Sequence, residues 1–369
     1  MTQVKAVLFS WINILLIAVP VGIALEQVKS FSRVGVFVIN FIAIIPLAAI
    51  LSFATEELAM YIGEVLGGLL NASFGNAVEL IVSVIALKQG KVIIVQTSLI
   101  GSMLSNLLLV LGMCFFFGGI NRSEQFFNIT VAQTAASLLA LAIGSLIIPT
   151  AFAMFSPKGE QGVAQASRGT AVLLLVTYAC YLLFQLRTHK TMYNEPSQKE
   201  DDEEEETPSL SIIGALITLG IATVLIAFCA EYMVSAIGAI ADSISPEFIG
   251  LILIPIVGNA AEHATAVTVA IKDKMDLAIG VAVGSSLQIA LLVLPLMIML
   301  NWWGVGDAVL TLNFDGFLVV VLVLSIWLVN YLINDGKSHW LEGVMLMLLY
   351  TIIAVAAFFY PANKEDLVG

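Results

Sequence analysis

The amino-acid sequence predicts an all-α polytopic membrane protein of about 11 transmembrane helices, arranged as two inverted five-helix repeats plus one extra N-terminal helix. Three observations support this: the composition, a series of charge-free runs of spanning length, and a motif that occurs twice. Of 369 residues, 60% are hydrophobic and 11% charged, with a mean hydropathy of +1.01. So little polar surface cannot coat a globular core in water. Charge-free runs lie at 34–55, 92–121, 125–157, 169–186, 207–230, 277–306, 316–334 and 343–363, and a bilayer span needs about 20 residues. The motif "GNAVELIV" at Gly75–Val82 returns as "GNAAEHAT" at Gly258–Thr265.

Hydropathy orders the elements. A first span is expected at 7–25, and although Lys5 precedes it, no small-residue cleavage site follows that would make it a signal peptide. Five spans follow near 34–62, 67–87, 92–117, 127–151 and 169–186, and five more near 210–240, 246–271, 275–303, 313–334 and 340–360. The chain thus divides into an N-terminal helix (1–33), a first repeat (34–190), an acidic linker or helix (191–209) and a second repeat (210–369). Cys114, Cys180 and Cys229 all lie in apolar runs without metal or redox spacing.

The formal charge of -12 is local, since the run "EDDEEEE" at Glu200–Glu206 holds seven of the 27 acidic residues. One reading is a solvated spacer whose like charges repel. The other is a reservoir of carboxylates, Glu203, Glu204, Glu205 and Glu206 among them, for a hard cation.

The repeat extends beyond its signature. Gly75, Asn76, Ala77 and Glu79 map onto Gly258, Asn259, Ala260 and Glu262 at a constant offset of 183 residues, which also maps "GSMLSNLLLVL" from Gly101 onto "GSSLQIALLVL" from Gly284. An offset that crosses five helices, an odd number, turns the second copy upside down. Within each copy Asn and Glu are spaced i, i+3, which puts an amide oxygen and a carboxylate on one helical face. Oxygen ligands of this kind suit a hard cation. Pro255 has no N–H to donate and crowds the Leu251 carbonyl, so the second-copy helix is expected to break just before its signature. Small residues, Ala72, Ser73 and Ala77 among them, let the two helices cross closely and bring Glu79 near Glu262.

Further oxygen donors follow at helical spacing: Ser98, Ser102 and Ser105 along one face with Gln96 a turn away, and Ser285 and Gln288 in the second copy. Serine and glycine faces in membrane helices are commonly packing surfaces. A carboxylate at bilayer depth costs roughly 2.5 to 3.5 kcal/mol even on an insertion scale, so two of them demand a function. A second inverted pair, Glu56 and Glu231, with Glu57 beside the former, is expected to serve a gate or proton path, or to lie at the interface where glutamate is cheap. His263 points about 100° away from Glu262 round the helix, which favours a proton-relay or supporting role over joint ligation.

These residues carry a resemblance. "GNAVELIVSVIAL" and "GNAAEHATAV" resemble the paired signature repeats of the cation/proton exchanger branch of the calcium/cation antiporters. The likeness extends through "LSFATEELA", "LIGSMLSNLLLVLG", "MDLAIGVAVGSSLQIALLVLP" and "LEGVM", and is strongest to the fungal vacuolar members. It implies an eleven-helix fold with the acidic segment in the cytosol and export of cytosolic calcium into an acidic compartment in exchange for protons. It also implies Glu79 and Glu262 as transporting carboxylates, with Asn76, Asn259, Gln96, Gln288 and His263 around them.

The expected location is the vacuolar membrane, with the plasma membrane or a prokaryotic inner membrane as alternatives. The expected partners are calcium, protons and the lipid bilayer, with no nucleic acid and no resident cofactor; the sequence leaves the oligomeric state open. Basic residues divide eight to seven between the two sides, too evenly to fix orientation. The nearest alternative is an antiporter of another cation, manganese or sodium. A remote alternative, an intramembrane protease, rests on "GVGD" at Gly304–Asp307; the second aspartate in a Tyr-Asp context is missing, there is no HExxH motif, and no enzymatic activity is expected.

Overall fold

The computed structural model describes residues 2–8, 10–28, 30–62, 66–67, 70, 74–156, 159–194, 208–241 and 244–360. The acidic run, including Glu203, Glu204, Glu205 and Glu206, lies outside them, as do Ala72 and Ser73. The described chain is helical apart from one two-stranded ribbon, β1 (Gln125–Phe126) against β2 (Lys337–Ser338). Its N-terminal part is not one continuous helix: α1 (Thr2–Leu8) and α2 (Ala18–Glu26) flank a 3-10 stretch, Trp11–Ile17. The first half then builds α3 (Arg33–Ile62), α4 (Ala77–Lys88), α5 (Val92–Gly119), α6 (Ile129–Phe155), α7 (Gly159–Leu183) and the short α8 (Lys190–Asn194). The second half builds α9 (Ile212–Ala241), α10 (Pro246–Gly258), α11 (Ala260–Ile271), α12 (Met275–Trp302), α13 (Gly316–Leu332) and α14 (Trp340–Phe358).

Among the described residues, eight helices are long and apolar enough to cross a bilayer, and the bent pair α10–α11 makes a ninth. The other two expected spans coincide with shorter helices, Trp11–Glu26 and the 12-residue α4. Side-chain caps define several starts. Asn128 accepts from Thr130 and Val131 N–H at α6, Asp315 from Phe317 N–H at α13, and His339 closes a capping box with Glu342 at α14. Pro46 and Pro149 sit inside α3 and α6, as membrane helices tolerate when neighbours satisfy the freed groups.

α3 and α9, 30 residues each and so about 45 Å long, run antiparallel. Arg33 at the start of α3 donates to Ser235 near the end of α9, while Glu57 near the end of α3 accepts from Leu210 N–H just ahead of α9. Against this pair lie two hairpins, α4–α5 and α11–α12. Their turns share one backbone: Gly90 has φ 71 and Asp273 φ 67, and the next residues, Lys91 and Lys274, have φ/ψ of −84/63 and −93/64. Each second arm carries a π-helical turn at the equivalent place, Ser105–Val110 and Ile289–Val293.

The two hairpin tips lie at opposite ends of the molecule. Lys91 donates to the Val234 carbonyl, at the Arg33–Ser235 end. Arg122, which follows the far end of α5, donates to the Ile271 carbonyl at the other tip, where Gln125 donates to Asp273. The inversion expected from an odd number of intervening helices is thus present in the backbone.

One expectation is corrected. The helix containing Pro255 does not break just before the signature; it bends by 60° inside it, between Gly258 and Ala260. The π-helical stretch Ile249–Leu253 widens the turn that would otherwise lack the proline's donor, which leaves Asn259 as the hinge.

Packing is tight on one side and open on the other. A Cβ at Gly101 would strike the Leu251 carbonyl, and one at Gly250 the Thr97 side chain, so α5 and α10 cross almost backbone to backbone. Gly284, the counterpart of Gly101, has nothing within 4 Å of its Cβ position. Gly101→Val is therefore expected to lower the melting temperature in detergent sharply or prevent folding, since overpacking costs about 1 to 3 kcal/mol or more, whereas Gly284→Ala should melt within a few degrees of the parent. Equal behaviour of the two variants would contradict this asymmetry.

Candidate functional site

Asn76 and Asn259 are the hinges from which the site is built. Each occupies the N-cap position of its helix with similar bridge-region dihedrals, φ/ψ −101/30 and −96/5. Each backbone carbonyl accepts the first helical hydrogen bond, from Leu80 and His263 respectively. Neither side chain caps its own helix; both reach across to the opposite repeat. Three residues on, in the first turns of α4 and α11, stand Glu79 and Glu262, where the positive ends of two half-helices face the middle of the protein. The two signatures approach closely: a Cβ on Gly258 would lie 3.1 Å from a Glu79 carboxylate oxygen.

The contacts across this junction are reciprocal. Asn259 Nδ2 donates to Ser102 Oγ at 2.5 Å, and Ser102 donates to Glu79 Oε1 at 3.1 Å. In the other direction, Ser285 Oγ donates to Asn76 Oδ1 at 2.8 Å, and Asn76 Nδ2 donates to Gln288 Oε1 at 2.7 Å. Each asparagine thus meets a serine of the opposite repeat. Asn106, in the π-turn of α5, donates to Ser285 Oγ at 3.0 Å and fixes the direction of that chain. The Glu262 carboxylate keeps a buried oxygen, Oε2, that makes no hydrogen bond. Burial and like charge oppose leaving two such carboxylates ionised, so they require a cation or protons.

The two carboxylates differ in the space beside them. A cavity of about 320 Å³ reaches Glu262, Ser285 and Gln288, bounded by Glu56 and Gly75, by Gly280 and Gly284, and by Tyr178 and Tyr181 of α7. It also touches Gln185 and Leu186, so it lies toward the end where α7 finishes and the acidic segment is attached. On the Glu79 side the described residues enclose a void of about 10 Å³, lined by Ser98, Val78 and Met233 among others, at the lower limit for one water. At that end the α4–α5 tip is tied to α9: Lys91 Nζ donates to the Val234 carbonyl at 2.6 Å, and burial together with Arg33 pulls its ammonium below the ordinary lysine range.

The structure brings together Glu79, Glu262, Asn76, Asn259, Ser102, Ser285 and Gln288, and leaves other expected residues elsewhere. Gln96 is not at the centre. It sits six residues before Ser102 in α5, about 9 Å along the axis, and its Nε2 donates to the Thr311 and Asn313 carbonyls at 2.8 and 3.2 Å. Glu57 does not face the cavity; its carboxylate accepts from Leu210 N–H at 2.7 Å while Tyr61 donates to the Leu210 carbonyl, so it braces the entry of α9. Glu231 is exposed and lines neither cavity, whereas Glu56 lines the wide one. Ser98 bonds back to the Val95 carbonyl beside Glu79. Ser105 meets the His263 ring rather than a carboxylate. Asn106 was not foreseen: its counterpart at the repeat offset is Ile289, so the duplication gave no signal there. Among the described residues, no group of three or more His, Cys, Asp or Glu side chains could hold a metal; a cation here would draw on two carboxylates and neutral oxygens.

The fold and the duplicated carboxylate site define a membrane exchanger, and comparison with known proteins specifies which. The profile of the sodium/calcium exchanger protein family matches residues 32–187 and again 214–359, and the chain belongs to this family. A vacuolar calcium ion transporter of Schizosaccharomyces pombe is 48% identical over 363 residues, covering 97% of this chain and 87% of the relative. A Ca(2+)/H(+) antiporter of Synechocystis is 40% identical over 94% of this chain and 97% of its own length. Among solved structures, native YfkE superposes with a TM-score of 0.78 at 36% identity, covering 94% of this chain and all of that one. The H+/Ca2+ exchanger CAX shares the fold, with a TM-score of 0.71 at 14% identity over 97% of this chain and 89% of its own.

The different settings of the two neighbouring glutamates can be measured. Glu57→Ala should lower the melting temperature, because an unpaired buried N–H costs about 1 to 3 kcal/mol, while Glu56→Ala should change it little. Equal melting temperatures for Glu57→Ala and the parent protein would remove the brace.

Proposed function

We propose that this protein is a secondary active antiporter that moves cytosolic calcium into the vacuole in exchange for protons. The observation that carries the reading is the pair of buried carboxylates, Glu79 and Glu262, placed on two half-helix starts, linked crosswise through Asn259–Ser102 and Ser285–Asn76, with a wide cavity leading to Glu262. Relatives named for calcium transport and for calcium/proton antiport support it along almost the whole chain.

Calcium is the substrate. It enters the wide cavity past Glu56 and meets Glu262, whose free oxygen is available to it. Glu79 supplies the second charge, and Asn76, Asn259, Ser102, Ser285 and Gln288 supply neutral oxygens toward the six to eight that calcium prefers. Binding requires these oxygens to exchange their mutual hydrogen bonds for the ion. Protons arriving from the acidic side compete for the same two carboxylates, and that competition couples the fluxes. Each proton contributes about 1.4 kcal/mol per pH unit, so two or three protons crossing about two units supply roughly 5 to 8 kcal/mol. On this reading the wide cavity opens toward the cytosol, and the carboxylates of the acidic run raise the calcium concentration on that side.

Two measurements test this. Glu79→Gln and Glu262→Gln should each abolish proton-driven calcium uptake into sealed vesicles while leaving folded protein, because an amide keeps the volume but can neither balance the charge nor carry a proton. Near-normal exchange by either variant at matched protein levels would remove that residue from the mechanism. Neutralising Glu203, Glu204, Glu205 and Glu206 to Gln should raise the apparent KM for calcium with little change in maximal rate. The difference should shrink as salt shortens the screening length below about 8 to 10 Å; an unaltered KM at low salt would sink the reservoir role.

A further inference from the structure

On one side of the site the polar network continues past the carboxylates. His263 follows Glu262 in α11, lines neither cavity, and sets its Nε2 3.3 Å from the Ser105 hydroxyl. Ser105 opens the π-turn of α5, and its counterpart at the repeat offset is Gln288. There the long amide accepts directly from Asn76; here a short hydroxyl stands in its place and the imidazole meets it. Tyr350 of α14, 4% exposed, turns its hydroxyl toward Ser105 without closing a hydrogen bond. A serine hydroxyl can accept from a tyrosine while donating to an imidazole, or take the reverse roles, so Ser105, already bonded to the His263 ring, can bridge the two side chains when the Tyr350 hydroxyl turns in.

Such a histidine is a chemical hazard for an oxygen site. Neutral imidazole is a strong ligand for zinc, cobalt and nickel, whereas calcium selects hard oxygens. A nitrogen one residue from Glu262, free to turn, would give those metals a ligand that calcium does not use. We propose that Ser105 and Tyr350 are specificity-determining positioning residues, which hold the His263 ring toward α5 and α14 and so keep nitrogen out of the transported cation's shell. The proposal rests on the exchange reading above. It assigns a role to a serine whose repeat partner is a glutamine, and to a buried tyrosine in a helix that carries no other residue of the site.

The test is competition by zinc in proteoliposomes holding the full chain. The parent protein must first show proton-driven calcium uptake; its absence would refute the exchange reading and leave the selectivity comparison to binding. For Ser105→Ala, the ratio of the zinc concentration that half-inhibits uptake to the calcium KM should fall about tenfold, equivalent to about 1.4 kcal/mol. Tyr350→Phe should move the ratio the same way by a smaller factor, and Ser105→Thr, which keeps the hydroxyl, should restore the parental ratio. Adding His263→Gln to Ser105→Ala should abolish the gain. A parental ratio in Ser105→Ala, or a gain that survives loss of His263, would overturn the proposal. Should Ser105→Ala transport nothing, calorimetric titration of the purified protein with cobalt decides: binding must tighten in Ser105→Ala and weaken again when His263 is removed, and any other order counts against it.

Discussion

Two carboxylates have to be placed at bilayer depth, and most of the fold follows from that requirement. A glutamate buried in an unbroken membrane helix would face apolar neighbours and a fully satisfied backbone. Here the helices begin at the site instead, so that Glu79 and Glu262 each sit in a first turn, where N–H groups lack intrahelical partners and the local dipole is positive. Starting a helix in mid-membrane needs a hinge, and Asn76 and Asn259 supply it with backbone geometry that asparagine adopts readily. Their side chains, released from capping, are then available to tie one repeat to the other. The π-turns of α5 and α12 set Asn106 and Gln288 against that junction.

Duplicated sequence does not mean duplicated packing. The same offset that equates Gly101 with Gly284 equates a crossing closed to backbone contact with one that faces a cavity. The backbone of the two hairpins is alike to within about ten degrees at the residues after their tips, so the difference lies in how each hairpin meets its neighbours. Two equivalent units packed unequally have an obvious second arrangement, with the roles exchanged, and small residues at both crossings make either one sterically available.

How much of this was legible in the sequence depends on what each feature needs. Spans, repeat and inversion were readable because hydropathy, a constant offset and an odd helix count require no tertiary knowledge. The central residues were readable for a related reason: a buried carboxylate repeated at one offset has no bland explanation. The surroundings of Glu57 and Gln96 were not legible: Glu56 and Glu57 are neighbours about 100° apart round one helix, and no periodicity says which faces a cavity and which a backbone N–H, nor that Gln96 meets the Thr311 and Asn313 carbonyls. A break is expected just before the signature because Pro255 is the strongest local signal, but a π-helical stretch precedes the proline and the bend falls at Asn259. Asn106 escaped because its repeat partner is apolar, and Tyr350 because a tyrosine in an apolar helix reads as packing.

On the exchange proposed above, the same burial that shapes the fold also enforces coupling. Suppose the site could change its facing with both glutamates ionised and nothing bound. While occluded, two like charges would lie in a medium of low dielectric without solvent or counter-ion, and each buried ion carries a penalty of several kcal/mol before their mutual repulsion is added. The neutral partners do not relieve this. Ser102 donates to Glu79, but the Ser285 hydroxyl is directed at Asn76, Asn76 donates to Gln288, and one oxygen of Glu262 has no donor. Only a divalent cation or protons remove the charge, so only loaded forms cross the barrier between the two facings. Obligatory exchange therefore needs no separate lock: it follows from leaving two carboxylates with too few donors to be comfortable alone.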